Sequence, residues 1–223
     1  MACLETQTGI LNVNEGSSWR RWIFAVAIGA SLLAAAFYAD TAMREWIVLH
    51  QTRASTAFMR AVSRYGDWPS HVLLGLLLAG IAYARRSKRW LRVFIAMIIA
   101  CAIAGTAARI IKVSAGRARP SVHAETGWNG PRFTSKYHAF PSGHTASSTA
   151  FFAVLVFASW RAGAALLAVP LLIAFSRMYV GAHYLSDVVG AALLGVLTAW
   201  MVSRVLARRD QSDRQTSERT ASL

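Results

Sequence analysis

Three short stretches of this 223-residue chain carry residue types suited to handling a phosphoryl group. The first is Lys112-Val113-Ser114-Ala115-Gly116-Arg117-Ala118-Arg119-Pro120, and the second is Pro141-Ser142-Gly143-His144. The third is Ser176-Arg177-Met178-Tyr179-Val180-Gly181-Ala182-His183-Tyr184-Leu185-Ser186-Asp187. Lys112, Arg119 and Arg177 are three cations suited to clamping equatorial phosphate oxygens, where charge resides in the transition state of phosphoryl transfer. Arg supplies a planar two-pronged donor and Lys a point charge. Ser142 and Gly143 sit at a helix start, where free backbone N–H groups and the helix dipole favour an anion, and Gly143 permits close approach of the backbone. His183 and Asp187 are four apart, so a helix would place them on one face. The carboxylate would then hold the imidazole in one tautomer and stabilise its cation. In that scheme His183 attacks phosphorus to form a phosphohistidine. His144 protonates the leaving alcohol and then activates water for the second step.

Each residue has a plainer reading when taken alone. Lys112 and Arg119 at a span end suit snorkelling anchors. His183 suits a structural interface histidine, Ser142-Gly143 an ordinary helix start, and Asp187 a solvated loop residue or cap. Their joint order and spacing is what favours a single phosphate site. The remaining candidates are weaker. Arg109, near the end of an apolar run, favours snorkelling over a supporting phosphate role. Arg132, Lys136 and His138 suit either a headgroup contact or a solvated loop, and Trp128-Asn129-Gly130-Pro131 reads as a turn. His50, His71 and His123 show no metal-ligand spacing.

The elements that must position these clusters are apolar spans. Hydrophobic residues make up 55% of the chain and charged ones only 15%, against about 25% charged in an ordinary soluble domain. Mean hydropathy is +0.39. Six apolar runs are expected to span: Trp22–Ala39, about Ser70–Ala84, Leu91–Ile111, about Thr145–Ser159, Gly163–Phe175 and Val188–Leu206. A cleaved signal peptide competes for the first run, which is longer than the usual apolar core of such peptides. The mixed segment 40–69 reads as one or two short interfacial helices, ended by a turn at Tyr65-Gly66-Asp67-Trp68-Pro69. The expected organisation is a polar tail over residues 1–18, one six-span domain over 19–206 with an active loop at about 112–144, and a disordered polar tail over 207–223.

Six spans put both termini on one side. Arg20, Arg21, the basic cluster at 85–92, Arg161, Arg204, Arg208 and Arg209 make that side the cytoplasm. All three clusters then fall on the opposite face. The net charge of +14 arises from 24 Lys and Arg against 10 Asp and Glu, and it points to anionic partners such as lipid headgroups or a phosphorylated substrate. Nucleic acid fits poorly, because the basic residues lie between apolar spans. Cys3 and Cys101 are too differently placed to pair; Cys101 reads as a small packing residue.

Lys-x6-Arg-Pro, then Pro-Ser-Gly-His, then Ser-Arg-x5-His-x3-Asp is a pattern that resembles the type 2 phosphatidic acid phosphatases, relatives of the vanadium haloperoxidases. The motifs match without a departure and anchor roughly residues 70–205, whereas the first 70 residues match by topology alone. The resemblance implies an all-α, six-helix transmembrane bundle and metal-free catalysis with no cofactor. It also implies His183 as nucleophile, Asp187 as its partner, His144 as acid and base, and Lys112, Arg119, Ser142, Gly143 and Arg177 on phosphate. The expected function is a phosphatase of a membrane lipid: undecaprenyl diphosphate, phosphatidylglycerol phosphate, phosphatidate or lipid A. The expected setting is the periplasmic face of a bacterial inner membrane. Two alternatives use the same pocket: a vanadate-dependent haloperoxidase, whose relatives are expected to be soluble, and a non-catalytic lipid-binding or transport protein, which would need no nucleophile.

Overall fold

The computed structural model describes residues 15–122 and 127–221. Eight α-helices follow in order: α1 Glu15–His50, α2 Arg53–Tyr65, α3 Trp68–Ala84, α4 Lys88–Ala115, α5 Gly143–Ala158, α6 Trp160–Leu166, α7 Ala168–Tyr179 and α8 Leu185–Ala221. No strand occurs among the described residues, and one isolated antiparallel bridge joins Arg117 to Trp128. The all-α expectation stands. Length and composition give four helical segments able to cross a membrane: Trp19–His50, Lys88–Ala115, Trp160–Tyr179 and Leu185–Arg208. Trp68–Ala84 and Gly143–Ala158 are apolar but shorter, so four crossings meet that test where six were expected.

The bundle is apolar outside, and small residues line much of its inside around a few large ones such as Phe151 and Met97. Ile23, Phe24, Val26 and Ile28 of α1, and Leu73, Leu76 and Leu77 of α3, are all exposed. Inside, Ala96, Ala100, Ala104 and Ala108 recur every fourth residue along α4 and are buried. Such a stripe lets helix backbones approach closely, which is how association proceeds where no hydrophobic force separates protein from lipid. α5 lies at the centre, packed against α4 and α8, and every residue from Thr145 to Leu155 is buried. At about 1.5 Å per residue it is too short for a hydrocarbon core of about 30 Å, but a helix sheathed by others has no lipid to match. Gly195 marks a close crossing of α8 over α5: a Cβ there would stand 2.8 Å from the Ala146 carbonyl oxygen.

Three expectations change. The first apolar run was expected to stop at Ala39, where Asp40 interrupts it, but α1 continues to His50. Asp40 points inward and is buried, paired to Arg117 at 2.7 Å, so its charge does not end the helix. α2 is then the one short helix within 40–69, where one or two were expected. The fifth run divides at Leu167 into α6 and α7, with Pro170 in the first turn of α7, where its missing N–H leaves no bond unmade. The polar stretch from residue 207 continues α8 as helix to Ala221, its Arg, Gln, Glu and Ala being good helix formers. Of the tail expected over 1–18, residues 1–14, including Cys3, lie outside the described residues, as does His123.

Candidate active site

The site is built at one end of α4, α5, α7 and α8. α4 delivers Lys112 in its last turn and stops at Gly116, whose φ of 59° and ψ of 39° are left-handed and whose N–H returns to the Lys112 carbonyl at 3.2 Å. A Cβ at Gly116 would lie 1.8 Å from the Gly130 oxygen, so glycine alone fits this reversal. The chain then runs through Arg117 to Arg119, whose N–H donates to the Lys136 carbonyl at 3.0 Å, while the Ala139 N–H donates to the Arg117 carbonyl at 3.0 Å. These bonds tie the two halves of the loop together. The loop cations play different parts. Arg132 and Lys136 are exposed, and buried His138 is spent on a 2.8 Å bond to the Arg132 carbonyl. Arg109 is exposed, in keeping with a snorkelling side chain.

Ser142 caps α5: its hydroxyl accepts from the Thr145 hydroxyl at 3.0 Å and faces the Thr145 N–H at 3.5 Å. Its own N–H donates to the Asp187 carbonyl at 3.1 Å. Gly143 follows, and a Cβ there would stand 3.5 Å from the Lys112 ammonium. The α5 N-terminus and the lysine thus face the same small volume. Arg177, in the last turn of α7, donates to the buried Ser63 hydroxyl of α2. Lys112, Arg119 and Arg177 are within electrostatic reach of one another, and among the described residues none forms an ion pair. The Nε atoms of Arg119 and Arg177 are buried without a hydrogen-bond partner among those residues. Burial pulls the Arg119 guanidinium below its ordinary value.

His183 and Asp187 meet, but not on a shared helical face. α8 starts at Leu185, so His183 precedes it. The Tyr184 N–H donates to Asp187 Oδ2 at 2.8 Å, a reach-back of the capping-box kind that folds the carboxylate over the helix start. His183 Nδ1 then stands 3.6 Å from Asp187 Oδ2 and 2.7 Å from the Ala139 carbonyl oxygen. A carbonyl can only accept, so Nδ1 carries the hydrogen and Nε2 keeps its lone pair. Burial, reinforced by Lys112 and Arg177, pushes His183 down to about 4 against the opposing pull of Asp187. His144, in the first turn of α5, is within electrostatic reach of His183, Lys112 and Arg177. All the sequence-selected site residues thus gather in one place.

Four partners were not selected from the sequence. Asp67, read only as part of a turn, has Oδ1 3.5 Å from His144 Nε2 while also capping α3 through the Trp68 N–H at 2.8 Å. Ser63 and Ala139 carry no sequence signal. Asp40 did: a carboxylate interrupting an apolar run needs a buried partner, and Arg117 of the first cluster is that partner.

Residues 89–211, more than half of the chain, match the PAP2 superfamily. The chain belongs to that superfamily. Similar curated proteins include the lipid A 1-phosphatase of Rhizobium johnstonii, 34% identical over 107 residues, which are 47% of this chain and 44% of the relative. The chain therefore aligns with less than half the length of that relative. The decaprenylphosphoryl-5-phosphoribose phosphatase of Mycobacterium tuberculosis is 31% identical over 156 residues, 70% of this chain and 83% of the relative. The fold resembles that of a PAP2-type phosphatidylglycerolphosphate phosphatase from Bacillus subtilis, with a TM-score of 0.62 at 21% identity over 85% of this chain and 96% of the other. It also resembles Aquifex aeolicus LpxE, with a TM-score of 0.54 at 20% identity over 74% and 94% of the two chains. As a PAP2 protein with several long apolar helices, the chain is a membrane protein.

Proposed function

We propose that this PAP2 protein hydrolyses a phosphoester or diphosphate of a membrane lipid through a phosphohistidine on His183. One observation carries the reading: the Nδ1–H bond of His183 to Ala139 at 2.7 Å leaves Nε2 basic within reach of Lys112 and Arg177, which form no ion pair among the described residues. Nε2 attacks phosphorus, a P–N bond forms and the P–O bond to the lipid breaks. His144, backed by Asp67, gives the leaving oxygen its proton. Water then attacks phosphorus, His144 takes its proton, the P–N bond breaks and inorganic phosphate departs. Lys112, Arg119, Arg177 and the Ser142-Gly143 N–H groups hold the phosphoryl oxygens throughout. No metal or other cofactor has a part in this scheme.

The substrate is a phosphorylated lipid delivered from the bilayer, with undecaprenyl diphosphate, phosphatidylglycerol phosphate, phosphatidate and lipid A as the classes to try. The similar curated proteins favour envelope lipids, being named for lipid A and for a decaprenylphosphoryl sugar phosphate. The reading places six helical passes in a bacterial inner membrane, counting α6 with α7 and including the short helices α3 and α5. Both termini then lie in the cytoplasm and the site faces the periplasm, because Arg85, Arg86, Lys88 and Arg89 stand at the opposite ends of α3 and α4 from the site. A phosphate-release panel over the four lipid classes, run with purified protein and with His183→Ala, tests the proposal. Release from at least one class, abolished by the substitution in folded protein, is expected; full turnover without His183 refutes the mechanism.

A further inference from the structure

We infer that Arg117 and Asp40 form a positioning pair through which the N-terminal helix sets the charge behind His183, and that this pair is needed for turnover. The inference rests on the functional reading above. Asp40 lies outside the matched residues 89–211, so α1 is more than an anchor.

The geometry is closed on every side. The Arg117 guanidinium donates to Asp187 Oδ1 at 2.5 Å, to the Ser186 hydroxyl at 2.7 Å and to Asp40 Oδ2 at 2.7 Å. Asp40 accepts in turn from the Ser186 N–H at 2.8 Å and the Ser186 hydroxyl at 2.6 Å. Three rings pack around the guanidinium: Tyr184 at 4.4 Å, Phe37 at 5.1 Å and Trp128 at 5.5 Å from ring centre to Cζ. Phe37 belongs to α1, Trp128 to the loop and Tyr184 to the start of α8, so one side chain fixes three parts of the chain. With one oxygen held by Arg117 and the other by the Tyr184 N–H, Asp187 has no freedom to turn from His183.

The charges make this more than a brace. Two buried carboxylates share one guanidinium, leaving a net charge of minus one beside an imidazole that gains positive character as it attacks. Were Arg117 paired with Asp187 alone, that support would be cancelled. Asp40 draws off part of the cation and so restores it. His183 is otherwise faced by Lys112 from α4, Arg177 from α7 and His144 from α5, all of which oppose a positive imidazole when charged.

The test is the acid limb of kcat/KM together with kcat on a lipid that the unmodified protein hydrolyses. Asp40→Asn takes the net charge to zero, so the limb is expected to move to lower pH and kcat to fall about tenfold or more. KM should stay within about twofold, since the phosphate grip is untouched. Adding Arg117→Gln to Asp40→Asn returns the charge to minus one and is expected to bring the limb back. Arg117→Lys keeps the charge but loses the fork, so the limb should stay while kcat falls about tenfold. The inference is overturned if the Asp40→Asn limb does not move, if the double variant does not restore it, or if Arg117→Lys retains full kcat. Arg117→Lys decides alone if the Asp40 variants do not accumulate. Failure of the unmodified protein to release phosphate from any lipid class would instead overturn the functional reading.

Discussion

His183 bonds through Nδ1 to the main-chain carbonyl of Ala139 at 2.7 Å, a shorter contact than the 3.6 Å it keeps to Asp187. The tautomer is therefore fixed by the backbone of the loop, while the carboxylate serves as a nearby charge. This division matters because the two partners respond differently to acid. A carbonyl can accept at any pH, whereas in the proposed mechanism the imidazole must stay neutral to attack phosphorus.

The first prediction concerns that neutrality. Burial pushes the His183 pKa from its ordinary 6.5 to about 4. Between those values the unfolded chain binds the extra proton and the folded protein does not, so stability conferred by the neutral ring is lost as pH falls through that window. Above about 4 the folded protein keeps the lone pair on Nε2. The limb of kcat/KM that reports His183 is expected near 4, well below the range of a free histidine. A pH–rate profile of the unmodified protein checks this, and a limb near 6.5 assigned to His183 would contradict it.

Asp67 should matter to the leaving group and little to binding. Its carboxylate stands 3.5 Å from His144 Nε2, placed to orient the ring that in the proposed scheme donates to the departing oxygen. Asp67→Asn is expected to lower kcat on a lipid phosphate by about 100-fold, within the range of a lost general acid. The loss should shrink on an aryl phosphate whose leaving oxygen needs no proton. Equal losses on both substrates would remove Asp67 from that role.

Gly116 offers a test of the loop as a built object. At a φ of 59°, with the Gly130 oxygen 1.8 Å from where a Cβ would stand, alanine meets both strain and a backbone clash. The left-handed conformation alone costs about 1–2 kcal/mol for a residue with a side chain. Gly116→Ala should lower the melting temperature in detergent and weaken turnover together, because the same turn leads into Arg117 and Arg119. An unchanged melting temperature would mean that the loop is held from elsewhere.

The site was more legible in the sequence than the frame around it. Lys112, Arg119, Ser142, Gly143, His144, Arg177, His183 and Asp187 fall in three compact motifs whose chemistry reads without coordinates, and the fold gathers them. Pairing across long sequence distance leaves no such mark. Asp67 looked like a turn residue because its capping role is local and visible, whereas its approach to His144 depends on how α3 sits against α5. Asp40 looked like the end of a span for a similar reason: an apolar window registers a charge as a stop, and burial beside Arg117 is invisible to it. The four-residue spacing of His183 and Asp187 suggested contact on a helical face, yet the contact arises from a capping turn. The number of crossings is less legible: α3 and α5 are apolar but shorter than a full span, and α5 is sheathed by neighbouring helices, so lipid thickness does not set its length.

The last prediction concerns the cations themselves. Lys112, Arg119 and Arg177 repel one another at close range, and the buried Nε atoms of both arginines lack partners among the described residues. An unpaired buried donor costs about 1–3 kcal/mol, so an anion with several oxygens should relieve several such costs together. Inorganic phosphate, a product of the proposed reaction, is expected to stabilise the folded protein by about 2.7 kcal/mol at a concentration 100 times its Kd. The rise in melting temperature should saturate with phosphate, and phosphate should inhibit turnover competitively at matching concentrations. Lys112→Met removes one charge and should weaken both effects in parallel. Chloride at equal ionic strength should do neither, since general screening acts on charges everywhere while the proposed site would hold an oxyanion through two-pronged arginine contacts. If phosphate and chloride shift the melting temperature alike, the three cations do not form an oxyanion site.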